Sequence, residues 1–376
     1  MITSKSITRL TYAFITVGMI FSLTYLSGCI AIKPADVTPP EVPPAKHESS
    51  GKETGVTPTD SPQIPARGFF MGVLPLPADG QSFADAHLQA SLYAEFAPIW
   101  GRPSPFYNLP DELSGTWGQT FVEQYTRKNG VFPIIHMSSI NAGMTLKTPA
   151  DISEATLRNR QWRNAYKQAA LDVVKITRPL YLSIGNKVNR WYERYGASSD
   201  NSNGFQHYVS LYDKIYDAIR ESSLETKVFC TFSCEIVSEN RKADLEVLKM
   251  FKADEVDILA LTSYPYAVQG INRHSGIPDD YCARVSNHMP GKPLGFSEIG
   301  WPALDVFGGE QSQADFIIQA STRLATEQGI NLHLFGWPWL HDLDDNDSHR
   351  AHQEGWYKKT SLFSMEEAIV LREITS

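Results

Sequence analysis

The chain has 376 residues, 42% hydrophobic and 20% charged, with 25 Gly and 23 Pro. Those fractions describe a folded globular protein and exclude collagen-like, wholly disordered and polytopic membrane chains. The net charge is −8 with no long basic run, which argues against a nucleic-acid partner, and four cysteines are too few for a disulfide scaffold.

Residues 1–28 read as a secretory signal. Lys5 and Arg9 supply a positive start, Leu10 to Leu26 an apolar run, and Leu26-Ser27-Gly28-Cys29 a small-residue site. That ending resembles the lipobox of bacterial lipoproteins. The resemblance implies a cleaved signal and a lipidated Cys29 that anchors the chain to a membrane. Ile30, in place of Asp, implies the outer membrane, with the domain facing the periplasm or the cell exterior. An ordinary signal with an incidental Cys29, or an uncleaved anchor, is the alternative. Residues 29–66 carry Pro34, Pro39, Pro40, Pro43, Pro44, Pro58, Pro62 and Pro65 among Thr, Ser, Glu and Lys. Such a stretch holds too little apolar surface to fold and reads as an extended tether.

From Arg67 onward, residues 67–376 alternate short apolar runs with amphipathic stretches. The predicted strands are Gly68–Leu74, Tyr93–Trp100, Val131–His136, Leu180–Ile184, Val228–Phe232, Asp257–Leu261, Pro293–Phe296 and Leu332–Phe335. Helical spacing is clearest through Phe205, Tyr208, Val209, Tyr212, Ile215, Tyr216 and Ile219. Further helical patterns run through Trp162–Val174, Leu245–Phe251 and Phe316–Ala325, the last stopped by Gly329. Eight strands alternating with helices point to an α/β fold with a parallel sheet, and eight is the number that closes a (β/α)8 TIM barrel. The rival is a doubly wound open sheet, but no G-x-G-x-x-G follows the first strand and no phosphate loop occurs. A barrel puts its active residues just past the C-terminal strand ends.

The strand ends carry His136, Asn186 with Lys187, Glu235, Tyr264 with Tyr266, Glu298 (in Ser297-Glu298-Ile299-Gly300-Trp301-Pro302), and Trp337 with Trp339. Each alone is as readily a packing residue or a surface charge. Together, a carboxylate, hydrogen-bonding neighbours and several indoles suit carbohydrate: aromatic faces pack on sugar C–H faces while polar groups fix hydroxyls.

On these motifs the sequence resembles clan A glycoside hydrolases, and among them the family 53 endo-β-1,4-galactanases, over most of residues 67–376. Members of that family end strand four in Gly-Asn-Glu-x-Asn, whose Glu is the general acid/base; this chain reads Gly185-Asn186-Lys187-Val188-Asn189. Their strand seven ends in a nucleophilic Glu, often before Gly-Trp-Pro, matching Glu298. Strand three ends in His-Tyr-Ser-Asp, matched by His136-Met137-Ser138-Ser139. A strand-six Tyr before Pro matches Tyr264, and strand-eight indoles match Trp337 or Trp339. The resemblance implies a retaining β-glycosidase site with nucleophile Glu298 oriented by Tyr264 and Asn186. His136, Trp301, Trp337 and Trp339 would line the sugar subsite, with poly- or oligosaccharide as ligand.

The departures carry as much information. Retaining hydrolysis needs two carboxyl groups about 5–5.5 Å apart, and the expected proton donor is Lys187. An unperturbed lysine has a pKa near 10.4, far from the working pH of a general acid, and an ionised Glu298 beside it favours the ammonium. The arginine that clan members carry on strand two is absent from Ala97-Pro98-Ile99-Trp100, with Arg102 two residues on. Three readings follow: a barrel that binds glycan or protein without cleaving it, a glycosidase whose acid/base has moved to Glu235 or Glu193, or an unrelated barrel function.

Smaller signals have plainer readings. Asp342, Asp344 and Asn346 could offer oxygen ligands to Ca²⁺, but the Gly and distal Glu of an EF-hand loop are missing, so a solvated acidic loop is expected and no cofactor. Cys230 and Cys234 lie roughly 13 Å apart on an extended strand, too far for a disulfide. Cys282 is a candidate partner for either; small buried hydrophobes are the simpler reading. No nucleophile elbow G-x-S-x-G is present.

Overall fold

A computed structural model of the chain describes residues 56–341, apart from 79, 100–104 and 142–143. The signal, Cys29, most of the tether, Arg102 and the acidic loop with Asp342, Asp344 and Asn346 lie outside the described residues.

The strands are β1 (Phe70–Val73), β2 (Phe96–Ile99), β3 (Phe132–His136), β4 (Tyr181–Ser183), β5 (Lys227–Phe229) and β6 (Thr231–Ser233). A two-residue pair follows, β7 (Glu235–Ile236) and β8 (Arg241–Lys242), then β9 (Leu259–Ser263), β10 (Leu294–Ile299) and β11 (Leu332–Trp337). Nine of them form one sheet in the order β5-β4-β3-β2-β1-β11-β10-β9-β6, every neighbouring pair parallel. The two ends of that sheet, β5 and β6, are consecutive in the chain and separated only by Cys230. They are halves of the single predicted strand Val228–Phe232, one pairing with β4 and the other with β9, so the ring closes through the covalent chain. The fold is a parallel (β/α)8 TIM barrel.

Alternation along each strand divides the core in two. Phe70, Phe96, Phe132, Tyr181, Phe229, Ala260 and Leu334 point inward and form a cluster of their own, the packed plug that fills a barrel of this size. The other face of each strand packs under the helices, as with Ile135, Leu182, Val228, Leu261 and Phe335. The plug explains Gly72: a Cβ there would run into the Phe96 ring.

Between the strands, helix Arg160–Thr177 starts where Asn159 accepts from the backbone N–H groups of Gln161 and Trp162. Helix Phe205–Ser222 buries the apolar face that its spacing predicts. Two expectations are corrected. Leu245–Phe251 is a short 3-10 turn, Glu246–Met250, followed by a second, Ala253–Glu255, before β9. The helix expected at Phe316–Ala325 spans Gly309–Ser321, and Gly329, with φ of 73°, ends a separate 3-10 turn.

The last part of the expected tether is docked. The Val56 N–H donates to the Ser222 carbonyl and the Thr59 N–H to that of Arg178, while Asp60 receives Arg127. Ser222, Arg178 and Arg127 all precede strands, so residues 56–66 strap the N-terminal mouth of the barrel, opposite the strand ends.

Candidate active site

Glu298 reaches the C-terminal mouth because β10 bulges. Phe296 pairs with Leu261 of β9, but the next partner of Thr262 is Glu298, leaving Ser297 as an extra residue. A bulge of this kind re-aims the side chain that follows it. Gly336 of β11 makes room, since a Cβ there would lie 2.6 Å from the Ser297 carbonyl oxygen.

Two groups meet the same oxygen of Glu298. Tyr264, immediately after β9, donates its hydroxyl to Oε2 at 2.9 Å, and the Lys187 ammonium lies 3.1 Å from Oε2. The Lys187 and Glu298 side chains are 18% and 17% exposed, so solvent screens the pair only in part. Lys187 Nζ also stands 5.9 Å from the centre of the Tyr264 ring.

The turn after β4 fixes Lys187. Its φ is 49°, a left-handed backbone that a side chain rarely adopts. Thr231, at the start of β6, holds the turn: its hydroxyl accepts from the Lys187 N–H at 2.8 Å and donates to Asn186 Oδ1 at 2.8 Å. Gly185 is close-packed, because a Cβ would strike the Tyr208 hydroxyl. Asn189 is a buried clip whose amide bonds the Ser233 backbone in both directions.

The remaining expected residues are placed as follows. His136 ends β3 and is buried, its imidazole pushed down to about 3 by desolvation and therefore neutral. Trp301 exposes no face to solvent: it packs against Tyr266, Phe307 and Phe316 and donates to the Phe307 carbonyl. In this structure it is core and not a sugar platform, its indole enclosed by those three rings. Trp337 is likewise buried, with an indole N–H that finds no acceptor among the described residues. Trp339, two residues past β11, is half-buried and is the indole of the three with accessible surface.

Both alternative proton donors are engaged by other groups. Glu193 is held by the Arg241 guanidinium at 2.9 and 3.2 Å and by the Asp244 N–H at 2.7 Å. Glu235 is buried behind Tyr264. Its Oε2 accepts the Tyr264 N–H at 2.6 Å, and its Oε1 accepts from the hydroxyls of Ser263 (3.1 Å) and Tyr281. Burial pushes the Glu235 carboxyl up to about 7 against the pull of these donors. Glu235 thus grips the backbone of Tyr264 while Glu298 meets its hydroxyl, and the ring lies between the carboxylates.

Sequence reasoning missed Thr231, Ser263, Tyr281 and the bulge. Hydroxyl residues in or beside apolar runs carry no sequence signal of what they bond. Cys230, Cys234 and Cys282 are buried free thiols, as expected. Among the described residues no group of three or more His, Cys, Asp or Glu is placed to hold a metal.

No family model and no curated protein matches the sequence. Solved structures do match the fold. A β-glycosidase superposes with a TM-score of 0.54 at 9% identity, over 78% of this chain and 85% of its own. A GH5_18 protein from Streptomyces cattleya, in complex with GlcNAc, gives 0.54 at 12%, over 86% and 82%. Fungal β-1,4-galactanases give 0.51 at 15%, over 78% and 91%. The chain therefore has the fold of these proteins.

Proposed function

We propose that this protein is a glycan-binding barrel on a glycosidase scaffold, taking β-linked poly- or oligosaccharide at the mouth around Glu298 without cleaving it by the retaining route. One observation carries the reading: the Lys187 ammonium 3.1 Å from Glu298 Oε2. Retaining cleavage needs a free carboxylate to attack the anomeric carbon and a second carboxyl group about 5–5.5 Å away to protonate the leaving oxygen. Lys187 stands where the motif calls for that second carboxyl, and it pairs with the first. Glu235 and Glu193 are held elsewhere by their own donors. Asn186, Tyr264 and the half-buried Trp339 remain to meet sugar hydroxyls and a sugar face. The glycosidase and galactanases that share the fold favour a β-linked ligand. The lipobox-like signal supports an outer-membrane lipoprotein anchored through Cys29, with 29–55 as spacer.

A second reading is an active glycosidase with a relocated proton donor, favoured by the Tyr264 hydroxyl bond to Glu298, which suits an oriented nucleophile. Reducing-sugar release and affinity electrophoresis on a panel of β-linked glycans separate the two. The binding reading expects retention on at least one glycan without release, and release appearing in Lys187→Glu. Release by the wild type that disappears in Glu298→Gln would establish the second reading.

A further inference from the structure

Glu235 is a buried carboxylate that the proposed function does not use, and one of its partners, Tyr264, belongs to the site. It begins β7, directly across from Lys242 of β8, and is 5% exposed. Ser263 and Tyr264 approach from the end of β9, and Tyr281 from the first turn of helix Tyr281–Ser286. Lys242 lies over the Tyr281 ring at 4.8 Å. Cys234 and Cys282 complete the surroundings, with burial holding both thiols neutral.

We propose that Glu235 is a positioning residue: its ionised carboxylate holds the Tyr264 backbone, and through Tyr264 the Lys187–Glu298 pair, so that protonating it loosens the site. An ionised carboxylate accepts from all three donors at once, and bonds to a charged acceptor are the stronger kind. A protonated carboxyl carries a hydrogen of its own that must displace one donor. The hydroxyls of Ser263 and Tyr281 rotate to accept it, whereas the Tyr264 N–H keeps only a weaker, neutral acceptor. Tyr264 then has more freedom at both ends, and its hydroxyl shares Glu298 Oε2 with Lys187. Desolvation brings the Glu235 transition to about pH 7, so the change falls within an ordinary working range.

The inference rests on the proposed function only for what the site is for, and its test uses no glycan. The full chain is labelled with [15N, 13Cζ]-tyrosine and titrated from pH 5.5 to 8.5, Tyr264 being assigned by the signals missing from Tyr264→Phe. The expected result is that the Tyr264 amide and its Cζ shift together, with one midpoint near 7. Both go flat in Glu235→Gln, and Glu235→Asp restores a common titration at a displaced midpoint. An amide that titrates while Cζ stays flat overturns the proposal, since the carboxylate would then grip the backbone without setting the hydroxyl end. Absence of any titration in the wild type, which needs no variant to fold, overturns it equally, as does a midpoint that survives in Glu235→Gln. A protein that retains no glycan would sink the binding reading and leave this result standing.

Discussion

At the scale of single residues, the site is organised by side chains under constraint. Lys187 carries a positive φ that costs a non-glycine residue roughly 1–2 kcal/mol. Its N–H bond to Thr231 and its ammonium contact with Glu298 offset that cost in the same turn. Glu235 carries a different burden. Its carboxyl lies near 7 in the folded protein, against an ordinary 4.5. Between those values the folded chain keeps a proton that the unfolded chain releases, so this group makes stability fall as pH rises, by ~1.4 kcal/mol per pH unit, and adds no slope above about 7. Urea midpoints at pH 5 and 7.5 should therefore fall further in the wild type than in Glu235→Gln, and equal falls would refute the assignment. The ionised form that holds Tyr264 is the form that burial penalises. Glu298, Lys187 and Tyr264 were legible in the sequence because strand-end motifs mark them. The part played by Glu235 was not, since a carboxylate after a strand reads the same whether it faces the mouth or a tyrosine's backbone.

At the scale of elements, β10 decides where Glu298 points. A regular strand would set Ser297 opposite Thr262, and side-chain alternation would send Glu298 to the other face. The bulge reverses that, and it stands because Gly336 leaves space for the Ser297 carbonyl. Gly336→Ala brings a methyl against backbone that has no flexible end to yield, so it should cost ~1–3 kcal/mol and also weaken glycan retention. Gly72→Ala crowds the Phe96 ring deeper in the barrel and should lower stability while leaving retention intact. Urea midpoints together with affinity electrophoresis check both; an unchanged retention in Gly336→Ala would separate the bulge from the site. Periodicity located all eight strands, but the bulge, the break at Cys230 and the shortened turn at Glu246–Met250 depend on neighbouring chains and left no local pattern.

At the scale of the whole molecule, the barrel has a strapped end and an opposite end that carries Glu298, Lys187 and Tyr264. The Arg127 guanidinium holds Asp60 through two bonds, 3.0 and 2.9 Å, and adds the Thr177 carbonyl at 2.7 Å. Both side chains are under 10% exposed. Arg127 also donates to the Glu123 carboxylate, so removing Asp60 forfeits two charge-assisted bonds, ~1.5–3 kcal/mol, and leaves the guanidinium paired. Asp60→Ala should lower the urea midpoint accordingly and make the segment before Arg67 cleavable by protease in the native state; a protected segment would show that the strap is held by other contacts. Pro58, Pro62 and Pro65 made this stretch read as tether, and only its contacts with Ser222, Arg178 and Arg127 show that it belongs to the barrel. The order of strands and helices, the parallel barrel and the residues at the strand ends follow from the sequence, because hydrophobic period and chain order are local properties. Which oxygen meets which proton came only with the tertiary structure. Lys187, Tyr264, Glu298 and Glu235 sit on different turns of the barrel, and only its closure brings them within hydrogen-bonding reach.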